Sequence, residues 1–206
     1  MEEETQDVNE RSHAFRTKKT RESILNAVIS LLREGGYSAA TSGNIAKRAG
    51  VTWGAVQHHF GSKEEILYNV LQLSLEHLIE HLKQQDMRQG HLAERTDKFV
   101  DCLWLHYQSD ISWAAIEIML AMRSNPETAD EVNKVTTEIA VNCLKNMKEI
   151  FIESPASDED ILHVLSYSHG LLIGLALQTA FIGERQDYNW HLKRIKNTVY
   201  NVLEGF

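Results

Sequence analysis

Thr52, Trp53, Gly54, Ala55, Gln57 and His58 lie close together and carry the groups that can read the edges of DNA bases. A glutamine amide pairs with adenine in two places, and the methyl of an alanine or threonine packs on a thymine methyl. Gly54 lets backbone approach a base edge. Around this set stand groups suited to phosphate: the hydroxyls of Thr41 and Ser42, and the cations Lys63, Arg16, Lys18, Lys19 and Arg21. Phosphate contacts of this kind supply affinity and salt dependence with little sequence information.

A second constellation, His77-Leu-Ile-Glu80-His81, fits the His-x-x-Glu-His pattern of some zinc peptidases. Two histidines four apart share one helical face. The same segment, however, places Leu67, Leu71, Leu75, Leu78 and Leu82 along an apolar stripe, of which the histidines read as the polar flank. Zinc hydrolysis needs a third ligand and an open coordination position, and no downstream motif supplies one. There is no Gly-rich phosphate loop and no Gly-x-Ser-x-Gly elbow, and no carboxylate near His58-His59 to orient either ring. The expectation is a protein without catalytic residues, metal or cofactor.

Short helices must position the base-reading set. Ile24, Leu25, Val28, Leu31 and Leu32 recur at spacings of three and four, the mark of one buried helical face, and Gly35-Gly36 ends that helix. A short helix is predicted over 42–49 with Ile45, Ala46 and Ala49 inward. Gly50 turns the chain, and a third helix over 53–59 starts at the capping hydroxyl of Thr52. Ser62-Lys-Glu-Glu65 has capping-box spacing and opens a long fourth helix. Two short helices meeting across a tight turn form a helix-turn-helix, whose second helix enters the major groove. Further helices are predicted over 63–84, 92–109, 111–124, 127–153, 158–183 and 188–204. Their breaks fall at Gln89-Gly90, Asp110, Asn125-Pro126, Ser154-Pro155 and Gly183 to Asp187.

The net charge of -8 becomes informative once divided along the chain. Residues 1–10 hold five acids and no Lys or Arg; residues 11–65 hold nine Lys/Arg against four Asp/Glu. The remainder is acidic. A basic front end on an acidic body suits a protein that meets a polyanion with one end only. Cys102 and Cys143 show neither metal spacing nor a disulfide framework, so a reduced, cytoplasmic setting is expected. Residues 2–10 lack the form of a secretion signal. The apolar stretch near 161–182 is interrupted by His163, Ser166, His169 and Gln178, and reads as a buried helix and not a membrane span.

From about Thr20 to Leu67 the chain resembles the TetR/AcrR family of regulators. The resemblance rests on Ile24-Leu25, Ala27, Leu31, Gly36-Tyr37, Thr41-Ser42, Ile45-Ala46, Ala49-Gly50-Val51, Gly54, His58, Phe60, Ser62-Lys63-Glu64 and Leu67. Trp53 and Gln57 depart from the commonest family residues. The resemblance implies an all-α fold: an N-terminal three-helix helix-turn-helix DNA-binding domain and a larger C-terminal helical domain for effector binding and dimerisation. It further implies a homodimeric repressor of transcription that a small molecule releases from double-stranded operator DNA.

The expected division is a disordered acidic tail over 1–15, the DNA-binding domain over 16–62 and the helical body over 63–206. In the body, Trp104, Tyr107, Trp113, Glu117, Met119, Tyr167, His169 and Gln178 are candidates to line a mainly apolar effector pocket with a few polar handles. The last two helices offer a dimer surface. Gly170 and Gly174 permit close approach of another helix, and Leu192, Ile195, Val199 and Val202 run along one side of the last. The alternative for that stripe is packing against its own body.

Overall fold

The computed structural model describes residues 2–85, 87–123, 126–182 and 187–206, with side chains from residue 14 onward outside 124–132 and 180–186. The described residues form α-helices and no strand: α1 (Glu2–Ala39), α2 (Ser42–Ala49), α3 (Trp53–Phe60), α4 (Lys63–Gln84), α5 (Leu92–Tyr107), α6 (Asp110–Met122), α7 (Pro126–Ile150), α8 (Asp158–Ile182) and α9 (Asn189–Glu204). Helical backbone begins at Glu2, inside the stretch 1–15 expected as a tail; the side chains of residues 1–13 lie outside the described set. So do the expected cap Asn125 and most of the expected break from Gly183 to Asp187.

Local chemistry accounts for the ends. Gly35 and Gly36 leave helical geometry inside α1, Gly36 at φ 65° and ψ −168°. Thr41, Thr52 and Ser62 cap α2, α3 and α4, each side-chain oxygen accepting the amide three residues on. Gly50 closes α2 in the left-handed conformation at φ 71°.

Two apolar cores result. The front core joins Ile24, Val28 and Leu32 of α1 with Ile45, Val56 and Phe60, and with Ile66, Val70 and Leu71 of α4. It does not stop at residue 62. Ala114, Ile118 and Met122 of α6 complete it. The rear core joins Phe99 and Leu103 of α5 with Met147 and Phe151, Leu172 of α8, and Leu192, Ile195 and Val199 of α9.

The rear core corrects the expectation for α9. Leu192, Ile195 and Val199 are 8%, 0% and 1% exposed within the single chain. Those three side chains cover their own core, and Val202 is partly buried in the same packing. Helix α8 is long and apolar enough over Asp158–Thr179 to cross a membrane by length and composition. Here it packs Ile161, Val164, Leu172, Leu175 and Ala176 into the rear core.

Candidate nucleic-acid interface and effector cavity

Three of the base-reading candidates fall on one side of the second short helix. Val56 and Phe60 are buried against the front core, which turns Gly54, Gln57 and His58, three and four residues apart, toward solvent. Thr52 is exposed, and its oxygen accepts from the Ala55 amide at 3.2 Å, leaving the hydroxyl proton free to donate. Trp53 and Ala55 are half-buried, with Trp53 leaning on the front core. A Cβ on Gly54 would have only the Thr52 hydroxyl within 4 Å, at 3.9 Å, so its surface is open.

The phosphate candidates divide into exposed and engaged groups. Arg16, Lys18 and Lys19 are exposed, with Lys18 3.9 Å from Glu22. Thr41 is exposed and caps α2 by accepting from the Asn44 amide at 3.2 Å; Ser42 is half-buried. Lys63 is half-buried with Nζ 4.3 Å from the centre of the Tyr37 ring, and burial lowers its pKa. Arg21 is built into the fold. Its guanidinium donates to the His59 carbonyl and to Asn69 Oδ1 and lies 4.1 Å from the centre of the Phe60 ring. It braces the end of α3 against α1 and α4.

Two basic residues that the sequence reading passed over belong to this end. Lys47 is exposed on α2. Arg48 forms a two-pronged pair with Glu34 at 2.8 and 2.7 Å and donates to Ser30 at 2.5 Å, joining α2 to α1. The Arg48 pair, and then the Ser30 hydroxyl donating to Glu34 at 2.9 Å, hold the Glu34 carboxyl down at about 2.

Behind the front core lies a cavity of about 310 Å³, at the small end of ligand pockets. Leu71, Leu75 and Leu78 of α4, Leu103 of α5, Ala115, Ile116 and Met119 of α6, and Ile139 of α7 make most of its wall apolar. Thr136, Ala140, Leu162, Ser166 and His169 are exposed lining residues, which puts the mouth between α7 and α8. Of the expected pocket set, Tyr107, Met119 and His169 line the cavity, and Tyr107 and His169 are hydrogen-bonded to each other.

The other expected pocket residues lie elsewhere. Trp104 packs on Tyr188, ring centres 5.4 Å apart. Trp113 stacks under the Arg33 guanidinium, and Glu117 faces Gly36. Tyr167 and Gln178 are exposed on α8. Helix geometry is the reason. Successive residues turn by about 100°, so Tyr167 cannot share a wall with His169, nor Trp113 and Glu117 with the Ser112, Ala115, Ile116 and Met119 stripe.

Ser74 and His106 were missed as cavity residues, although both left a signal. Each is a polar residue on an otherwise apolar stripe: Leu67, Leu71, Ser74, Leu78 on α4, and Phe99, Leu103, His106 on α5. Both are buried, with Ser74 Oγ 3.5 Å from His106 Nε2. Burial first, then the nearby His77, His81 and His169, hold His106 down at about 4. His77 and His81 sit side by side with ring centres 4.3 Å apart, and Glu80 is exposed. Among the described residues no cluster of three or more His, Cys, Asp or Glu is placed to hold a metal ion.

On the expected dimer surface, Gly170 and Gly174 have nothing within 4 Å of where a Cβ would stand. With exposed Tyr167, Leu171 and Gln178 they form an outward strip of α8.

Residues 24–70 match the family of bacterial regulatory proteins, tetR family. The fatty acid metabolism regulator protein of Bacillus subtilis (strain 168) is 21% identical over 180 residues, covering 87% of this chain and 91% of that protein. The transcriptional regulator SrpR of Pseudomonas putida is 43% identical over 61 residues, 30% of this chain and 29% of that protein. Among solved structures, a transcriptional regulator from Rhodococcus sp. Rha1 superposes with a TM-score of 0.69 at 23% identity, covering 90% of this chain and 96% of the other. The fatty acid degradation regulator FadR from Bacillus halodurans superposes with a TM-score of 0.67 at 19% identity, covering 91% and 96%. The likenesses to the Bacillus subtilis protein and to the two solved structures extend over most of the chain, while the family match and the likeness to SrpR are confined to a short part of it.

Proposed function

We propose that this chain is a DNA-binding transcriptional regulator of the TetR family, a homodimeric cytoplasmic repressor released from its operator when a small apolar or amphipathic effector fills the cavity. It does no catalysis in this reading. Thr52, Trp53, Gly54, Ala55, Gln57 and His58 read the bases. Arg16, Lys18, Lys19, Thr41, Ser42 and Lys63 hold phosphates, and Arg21 supports them from behind. The exposed strip of α8 with Gly170 and Gly174 meets a second copy, which sets two reading heads on two half-sites.

The observation that carries the ligand-responsive part is the double role of α6. One face of this helix, with Ser112, Ala115, Ile116 and Met119, walls the cavity. Ala114, Ile118 and Met122 are sealed into the front core. Asp110 is paired with Arg33 of α1 at 3.1 Å. An effector that moves α6 therefore moves the DNA-reading end as well. Coupling of this kind requires the effector to prefer one arrangement of the two ends over the other.

The test is fluorescence anisotropy on DNA from upstream of the protein's own gene, with random duplex as competitor, at two salt concentrations. The expected result is salt-sensitive binding that survives the competitor and is reversed by a lipophilic compound. Two of the similar proteins are named for fatty acids, so aliphatic compounds head the screen. Operator binding that no lipophilic compound reverses, with no rise in thermal stability, would leave the DNA reading standing and remove the effector reading.

A further inference from the structure

The cavity has a polar end as distinct as its apolar walls, and this end is assembled from neutral, protonatable groups. His106 is 5% exposed, lines the cavity, and has a buried Nδ1 with no hydrogen-bond partner. Buried imidazole nitrogens are ordinarily paired, so an unpaired nitrogen on a residue that lines the cavity calls for a partner there. Around it stand Ser74, with His77 and His81 beyond, on α4; Tyr107 on its own helix, with Cys143 of α7 near Tyr107; and His169 on α8.

The charge balance of this end selects a ligand class. Among the described lining residues there is no Asp, Glu, Lys or Arg. Burial keeps Tyr107 and Cys143 protonated and neutral, and keeps His106 unprotonated. The histidines can gain a proton and no lining carboxylate can lose one. A cationic ligand would stay uncompensated in an apolar setting, which is costly. A weak acid can be compensated, because a proton shared with an imidazole neutralises the pair.

Resting on the effector reading above, we propose that the cavity takes a carboxylic acid with an apolar tail, its carboxyl group bound at His106 Nδ1 with uptake of one proton from solvent. The proton lies between carboxyl oxygen and imidazole nitrogen. Ser74 holds the far side of the ring, and the tail runs along Leu71, Leu78, Ile116 and Met119. His106 is the residue that distinguishes an acid from its ester or alcohol.

The experiment is calorimetric titration of the full-length protein with decanoic acid, methyl decanoate and decan-1-ol, each in two buffers of different ionisation heat, from pH 6 to 8. The acid is expected to bind with uptake of close to one proton and to lose about tenfold in affinity per pH unit over that range; the ester and alcohol bind without uptake or pH dependence. His106→Gln should abolish the uptake and weaken the acid by about tenfold or more, while alcohol binding changes by less than about threefold. A thermal melt of the variant checks that it folds. Acid binding without proton uptake, or uptake that survives His106→Gln, would overturn the proposal while the cavity reading stands. Binding of ester and alcohol but not acid would do the same. If none of the three binds, the effector reading falls and takes this proposal with it.

Discussion

The Glu117 carboxylate stands 3.3 Å from the point at which Gly36 would carry a Cβ. One residue belongs to the helix that walls the cavity; the other is the break in the helix that carries the DNA-binding end. Gly36 also adopts φ 65° with ψ −168°, a region that only glycine occupies without strain. The contact and the conformation thus fall on the same residue.

Gly36→Ala is therefore expected to cost about 1–3 kcal/mol of stability. It should also disturb Glu117 and with it the coupling between cavity and DNA. Gly43 in α2 is the control, since a Cβ there meets nothing within 4 Å and takes no left-handed conformation. Its replacement by alanine should be neutral or stabilising by up to about 1 kcal/mol. Urea denaturation of both variants decides this; equal losses would refute the role given to Gly36.

Lys63→Ala is expected to weaken binding to operator and random DNA alike and to flatten the salt dependence, because a phosphate contact carries no base information. Gln57→Ala should instead lose about 1–3 kcal/mol on the operator, with little change on random duplex. Parallel titrations on both duplexes separate the roles. Equal loss on the two DNAs for Gln57→Ala would end the division of labour.

Two pH windows of stability follow from the buried and paired groups. His106 is depressed from 6.5 to about 4, chiefly by burial, so the unfolded chain binds a proton that the folded chain refuses. Its contribution is fully present above 6.5 and is lost as the pH falls toward 4, on the order of 3 kcal/mol at most. Glu34 is depressed from 4.5 to about 2 by Arg48 and Ser30, so its contribution is lost only between those values. His106→Gln should flatten the upper window and Glu34→Gln the lower one in denaturation curves taken across pH. A His106→Gln curve parallel to that of the parent between 6.5 and 4 would contradict the burial argument.

If the proposed α8 strip joins two copies, Leu171→Glu turns a dimer into a folded monomer, since Leu171 is 40% exposed on the outer strip of α8. Ile195→Ala should act oppositely, lowering stability by about 2–5 kcal/mol because Ile195 is sealed in the rear core. Sedimentation and thermal melting together tell them apart. A Leu171→Glu protein that stays dimeric would move the interface elsewhere.

Sequence by itself determined the helix-turn-helix and the bounds of most helices. Those features rest on local chemistry: Thr41, Thr52 and Ser62 cap from within their own turn, Gly50 needs its left-handed conformation where it stands, and apolar periodicity marks each buried face. Tertiary structure alone decided where the faces went. Nothing local told Leu192, Ile195 and Val199 to pack on α5 and not on a second copy. Nor could periodicity tell which flank of α6 would meet the cavity and which would meet α1, as Glu117 and Met119 show. A stripe says that a side chain is buried, and only the neighbouring helices say against what. His106 lies between the two cases, its polarity on an apolar stripe legible in the chain and its vacant nitrogen visible only once five helices enclose it.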